Sequence, residues 1–98
     1  MYNDDNLMDL PIDGTLDLHT IKPNEIKRLV PDYIEACLKK GIYKLRIIHG
    51  KGTGTLRNIV RSILEKHPSV ADYYSEEGSG GGWGATIVDL RPDSEPEN

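Results

Sequence analysis

Cysteine is almost missing from this chain of 98 residues, with Cys37 the single one. An internal disulfide is therefore excluded, which fits a reducing compartment. Cys37 falls on the apolar stripe of a predicted helix, where a buried structural thiol is expected rather than a nucleophile. No cluster of Cys and His has zinc spacing. No apolar run approaches the ~20 residues that cross a bilayer, and no signal-type apolar stretch follows the first residues, so the expectation is a cytoplasmic protein without membrane contact. The GxxxxGK[ST] spacing is absent and GxGxxG is incomplete, which removes both common nucleotide cradles. Length leaves no room for a second domain, no internal repeat is visible, and 37% hydrophobic with 29% charged residues suits one modest core.

Charge is unevenly placed. The formal net charge is −4, yet from Lys39 to Lys66 eight basic residues (Lys39, Lys40, Lys44, Arg46, Lys51, Arg57, Arg61, Lys66) meet a single acid, Glu65. The acids gather at the ends, at Asp4, Asp5, Asp9 and Asp13 and again at Asp89, Asp93, Glu95 and Glu97. Such asymmetry points to a nucleic-acid surface on the basic region, DNA or RNA, although a basic helix face can also be plain solvated surface. Residues 1–13 read as a flexible acidic arm and residues 92–98 as a disordered acidic tail, leaving 14–91 as the domain.

Within the domain the periodicities are clear. Thr15-Leu16-Asp17-Leu18-His19 alternates strictly, so Leu16 and Leu18 face one side and Asp17 and His19 the other. Pro23 suits the first turn of a helix. Ile26, Leu29, Val30, Tyr33, Ile34, Cys37 and Leu38 keep helical spacing through Pro31, which predicts a helix that kinks there and resumes in register, with a break into two helices as the alternative. Gly41 closes it after Lys39 and Lys40. Residues 44–48 form a second strand, and Leu56, Ile59, Val60, Ile63 and Leu64 mark a helix from about Thr55 to Lys66, capped by Thr53 or Thr55 and stopped before Pro68. Val70–Ser75 and Ala85–Leu90 read as strands three and four around a glycine-rich loop expected to be mobile. The order β-α-β-α-β-β predicts a two-layer α/β sandwich. Its four-stranded mixed sheet carries both helices on one face, two parallel crossovers come first, and an antiparallel strand ends the chain. Its ligand site belongs at the carboxyl ends of the parallel strands, where His19 ends strand one and His49 strand two.

His49-Gly50-Lys51-Gly52-Thr53-Gly54 is the turn between the second strand and its helix. Glycines there bring backbone N–H groups close to a ligand, the helix adds its positive dipole end, and Lys51 supplies a cation, so the turn suits a phosphate. A tight turn that needs glycine only for its geometry is the plain alternative.

Two motifs in this register resemble one family. Leu16-Asp17-Leu18-His19 is similar to the LDxH signature of the Smr (small MutS-related) domain, and His49-Gly50-Lys51-Gly52 to its HGxG signature about 30 residues on. Gly84-Ala85-Thr86-Ile87-Val88-Asp89-Leu90 resembles the family's closing strand. The likeness covers about 14–91, and with no ATPase beside it the chain looks like a stand-alone Smr protein. It implies the same two-layer sandwich, nucleic-acid binding, and endonuclease activity of the kind several members have. Many Smr domains carry Gly after the LDxH histidine where this chain has Thr20.

Those residues frame a mechanism. His19 and His49 are expected as an acid–base pair, or one as base and the other as phosphate ligand, with Asp17 orienting His19, activating water or holding an ion. Gly50, Lys51, Gly52, Thr53, Gly54, Arg57 and Arg61 would hold the phosphate, and Trp83 could stack on a base or fold back on the sheet. One Asp and two His make a sparse metal site, so a Mg²⁺ or Mn²⁺ requirement is left open. Each histidine also fits a purely structural place at a sheet edge, Asp17 a turn cap, and His67 a helix-dipole partner. A non-catalytic DNA- or RNA-binding module and a protein-interaction domain are the alternatives, and a monomer is expected.

Overall fold

The computed structural model describes residues 11–50, 54–76 and 84–92. The elements follow the predicted order: β1 (Thr15–Asp17), α1 (Pro23–Lys39), β2 (Lys44–Ile48), α2 (Thr55–Lys66), β3 (Val70–Ser75) and β4 (Ala85–Leu90). The 78–82 loop and Lys51, Gly52, Thr53 and Trp83 lie outside the described residues.

Helix α1 runs unbroken through Pro31 and buries all seven residues of its stripe, Ile26 to Leu38. It ends in a Schellman arrangement, in which Gly41 N–H donates to the Leu38 carbonyl (3.1 Å) and Ile42 N–H to that of Cys37 (2.9 Å). Helix α2 begins differently from the expectation of a threonine cap. Gly54, at φ +91°, occupies the capping position without a side-chain bond, and Thr55 is already helical. The left-handed turn there suits glycine, which has no Cβ to clash.

The sheet order is β1-β2-β4-β3. β1 and β2 are parallel, and β4 runs antiparallel to both β2 and β3. The closing strand thus inserts between β2 and β3, and the second crossover skips one position instead of landing beside β2. Leu16, Leu18, Leu45, Ile47, Val88 and Leu90 pack with the stripes of both helices into one core, so both helices cover the same face. Ile12 packs against that core as well.

Tyr33 ties the start of the sheet to α1. Its buried hydroxyl accepts the Gly14 N–H (3.0 Å) and donates to the Thr15 carbonyl (3.1 Å). Burial pushes this phenol up to about 12.

Candidate functional site

The alternation of β1 determines what faces solvent. Leu16 and Leu18 are buried while Asp17 and His19 are exposed on the uncovered face. Asp17 Oδ1 accepts the His19 backbone N–H at 3.0 Å and lies 2.6 Å from its ring Nδ1. The backbone bond from His19, then the bond from its ring, hold the Asp17 carboxyl below its ordinary value, with help from the charges of His19 and Arg46. An ionised carboxylate can only accept, so it fixes the proton on Nδ1 and leaves Nε2 as the ring nitrogen without a partner among the described residues. This is an oriented imidazole with its basic nitrogen turned to solvent.

The rest of the open face is internally neutralised. Arg46 Nε meets both Glu76 carboxylate oxygens at 2.9 and 3.0 Å. Lys44 Nζ meets Asp89 at 2.8 Å and the Tyr74 hydroxyl at 3.2 Å. Of the neighbouring tyrosines, Tyr74 is on this face and Tyr73 on the other, where it packs against the core.

His49 occupies a different environment. Alternation along β2 puts it on the side of Leu45 and Ile47, and it is 5% exposed. Its Nδ1 lies 3.1 Å from the Gly50 carbonyl and its Nε2 2.9 Å from Thr86 Oγ1. A carbonyl cannot donate, so Nδ1 carries the hydrogen and Nε2 accepts the Thr86 hydroxyl proton. Burial lowers the pKa of this ring, and the positive charges of Arg57 and Arg61 lower it further. His49 is thus a neutral, doubly bonded ring in the wall between sheet and α2. The structure brings it together with Arg57 and Arg61 but not with His19, which lies on the opposite face.

Around His49 the backbone is tightly closed. The Gly84 carbonyl accepts two N–H groups, from His49 at 2.8 Å and from Gly50 at 2.9 Å. Gly84 is at φ +77°, and a Cβ there would stand 2.5 Å from the Gly50 carbonyl carbon. Only glycine permits β4 to start this close to the β2–α2 turn. On the first turns of α2, neither Arg57 nor Arg61 meets a carboxylate among the described residues. Arg61 bonds the Ser75 hydroxyl and sits 5.8 Å from the centre of the Tyr73 ring, and its buried Nε has no partner among the described residues. Among the described residues, the first turns of α2 thus carry cations that no carboxylate neutralises.

Thr86, Gly84, Arg46 and Glu76 are parts of this arrangement that sequence reasoning missed. Thr86 left a signal. It shares inward parity with Val88 and Leu90, and a fully buried hydroxyl in an apolar strand demands a partner. His67, expected at the dipole of the second helix, accepts the Ser69 N–H through Nδ1 at 3.0 Å and turns Nε2 to Glu35 at 3.5 Å. Among the described residues no three His, Cys, Asp or Glu side chains gather as a metal site, and no helix is long and apolar enough to cross a membrane.

Comparison with known proteins matches these features. The family model described as the Smr domain covers residues 16–91. The endonuclease MutS2 of Halothermothrix orenii is 36% identical over 80 residues, which is 82% of this chain and 10% of that protein. The endonuclease MutS2 of a Geobacillus species is 48% identical over 59 residues, 60% of this chain and 8% of that protein. This chain therefore spans about a tenth of the length of the curated relatives it matches. Among solved structures, the Smr domain of Thermus thermophilus MutS2 superposes with a TM-score of 0.74 at 33% identity, covering 82% of this chain and all of that one. YdaL, a stand-alone small MutS-related protein from Escherichia coli, gives 0.67 at 33% identity, over 83% of this chain and 66% of that one. With its two helices on one face of a mixed four-stranded sheet, its LDxH residues at the end of β1 and His49-Gly50 directly after β2, the chain belongs to the Smr domain family.

Proposed function

We propose that this protein is an Smr endonuclease that binds DNA or RNA and cleaves its phosphodiester bonds, with His19 as the acid–base group and Asp17 as the residue that orients it. One observation carries the reading. The exposed His19 ring is held through Nδ1 by the ionised Asp17 carboxylate at 2.6 Å, which leaves Nε2 to exchange protons with a substrate. Asp17 sets the tautomer and stabilises the imidazolium once formed. On RNA, Nε2 would take the 2′-hydroxyl proton as the 2′-oxygen bonds to phosphorus, and the imidazolium so formed would give that proton to the 5′-oxygen as the phosphorus–5′-oxygen bond breaks. On DNA, water would supply both proton and nucleophile.

Phosphate binding falls to the β2–α2 turn in this reading, through the amides of Gly50 to Gly54 with Lys51, Arg57 and Arg61, and Trp83 is placed against a base. His49, neutral and fixed between Thr86 and Gly50, then acts as a positioning residue that holds the phosphate turn in place. The domain is taken as 14–91 with acidic arms at both ends, working as a monomer in the cytoplasm. A Mg²⁺ or Mn²⁺ requirement is part of the test.

Supercoiled plasmid and structured RNA are incubated with the protein, with Mg²⁺, with Mn²⁺ and with chelator. Wild-type chain should nick or cut one of them, and Asp17→Asn and His19→Ala should each lower the rate by roughly 10² to 10⁴. Both side chains are exposed, so folding is expected to survive. Salt-sensitive binding without cleavage under every condition would reduce the protein to a binding module. Full activity in both variants would end the dyad mechanism.

A further inference from the structure

On the outer side of the helical layer, away from the dyad, a groove of about 660 Å³ runs between α1 and α2. Pro31, Ile59, Ile63 and Pro68 form its apolar lining, and Lys27 and Lys66 its charged rim. It arises because the apolar stripe of α2 is wider than the sheet can cover. Val60 and Leu64 are fully buried, whereas Ile59 and Ile63 are only partly buried against the core and also line the groove. Among the described residues no Asp or Glu lines it, and Glu35 lies at its end, 3.5 Å from the lining residue His67. An apolar floor with a rim of one charge sign fits an acidic, amphipathic segment.

We propose that this groove docks the chain's own N-terminal arm, residues 1–10. Three observations select this occupant. The arm has complementary charge, since Asp4, Asp5 and Asp9 meet no Lys or Arg among these residues. It also carries Leu7, Met8 and Leu10, the apolar side chains that the floor requires. The acidic residues 93–98 offer charge but no such side chain. Finally, the arm leaves the fold from a residue that touches one of the groove's two helices: the Pro11 carbonyl lies 3.5 Å from the hydroxyl of Tyr33, on the buried face of α1, whose other side carries the groove residue Pro31. Ten residues reach about 33 Å when extended, against molecular extents of 40 × 32 × 22 Å, so the arm can lie along the helical layer. Docking would lay the arm's carboxylates over Lys27 and Lys66. The proposal does not depend on the cleavage chemistry above.

A nitroxide placed on the full chain through Asn6→Cys tests it. Cys37 is buried, and that burial raises its thiol pKa, so it stays unlabelled. The amide signals of Asn58, Ile59, Ser62 and Ile63 should broaden several-fold more than those of the rest of the chain. Adding Leu7→Ser and Leu10→Ser to the labelled chain should remove that localised broadening. Broadening that is even over the surface, centred elsewhere, or unaffected by the serine substitutions would overturn the proposal. A mixture of spin-labelled chain with isotope-labelled, nitroxide-free chain completes the test. Broadening in that mixture would assign the groove to a second copy's arm and would overturn docking in cis.

Discussion

Replacing His49 with alanine separates a structural from a chemical role for this ring. In the native fold Nε2 accepts the hydroxyl of Thr86, which is 0% exposed, and Nδ1 donates to Gly50. His49→Ala leaves that hydroxyl without its partner in a place water does not reach, which costs about 1–3 kcal/mol. Removing a buried ring adds a cavity contribution, so about 2–4 kcal/mol in total is expected. For a domain of this size each kcal/mol lowers the melting midpoint by about 4–8 °C, giving a fall of roughly 8–30 °C. Thr86→Val removes the same bond from the other side and fills the space with a methyl group. Because the two side chains touch, the double variant should be less destabilised than the sum of the singles, with a coupling of about 0.5–3 kcal/mol. Thermal circular dichroism on the two single variants, the double and His19→Ala measures all of this, and His19→Ala should stay within a few degrees of wild type. A His49→Ala midpoint within about 3 °C of wild type, together with lost cleavage, would refute the reasoning and return His49 to the chemistry.

Other outcomes follow from the same geometry. In Gly84→Ala the new Cβ would stand 2.5 Å from the Gly50 carbonyl carbon, so the two bonds accepted by the Gly84 carbonyl must stretch. A loss of about 2–4 kcal/mol is expected in urea unfolding, and an unchanged midpoint would contradict the close approach. The folded His49 ring has a pKa below its ordinary 6.5, so the unfolded chain binds more protons as pH drops past that value. The associated stability is complete above pH 6.5 and is lost as pH falls toward the folded value. Urea midpoints should therefore decline from pH 7 to 5 in wild type and decline less in His49→Gln, and parallel curves would remove His49 as the cause. Replacing Lys51, Arg57 and Arg61 with alanine should weaken oligonucleotide binding and reduce the slope of log affinity against log salt by about 0.7–0.9 for each phosphate no longer neutralised. A triple variant with the wild-type slope would take the polyanion away from the first turns of α2.

Much of this was legible in the chain because it is local. The stripe from Leu56 to Leu64 and the stop at Pro68 place α2 at Thr55–Lys66, and the alternation around Leu16 and Leu18 turns Asp17 and His19 outward. The order of strands was not, because nothing in Val70–Ser75 or Ala85–Leu90 says which of them lies beside β2. The expectation that two histidines converge followed their shared rim and not their faces. Period two puts His19 with Asp17 and His49 with Ile47, on opposite sides of the sheet. What turns His49 from a rim residue into a buried one is Thr86, 37 positions away, and that pairing exists only because β4 inserts next to β2.

The same insertion explains how an exposed dyad and a closed turn coexist at one edge of the sheet. β4 begins at Ala85, and its preceding residue, Gly84, holds the backbone of both His49 and Gly50 through a single carbonyl. If β3 stood beside β2, that carbonyl would be replaced by a strand passing in the other direction, and His49 and Gly50 would lose their shared acceptor. β1 is at the sheet edge with three residues, and among the described residues the outward side of Asp17 and His19 is exposed. The backbone fixed by that carbonyl, at His49 and Gly50, therefore leads into the part proposed to hold charge, where displaced donors lose electrostatic value quickly. The solvent-facing part is the one proposed to move a proton, and there it needs only a second residue to fix the ring. A phosphodiester held by α2 and attacked through His19 Nε2 must lie across the β1–β2 rim. Thr20 and Gly50 are the residues that follow the two histidines there. Bulk added at Thr20 should hinder cleavage while leaving the binding contributed by Arg57 and Arg61 intact.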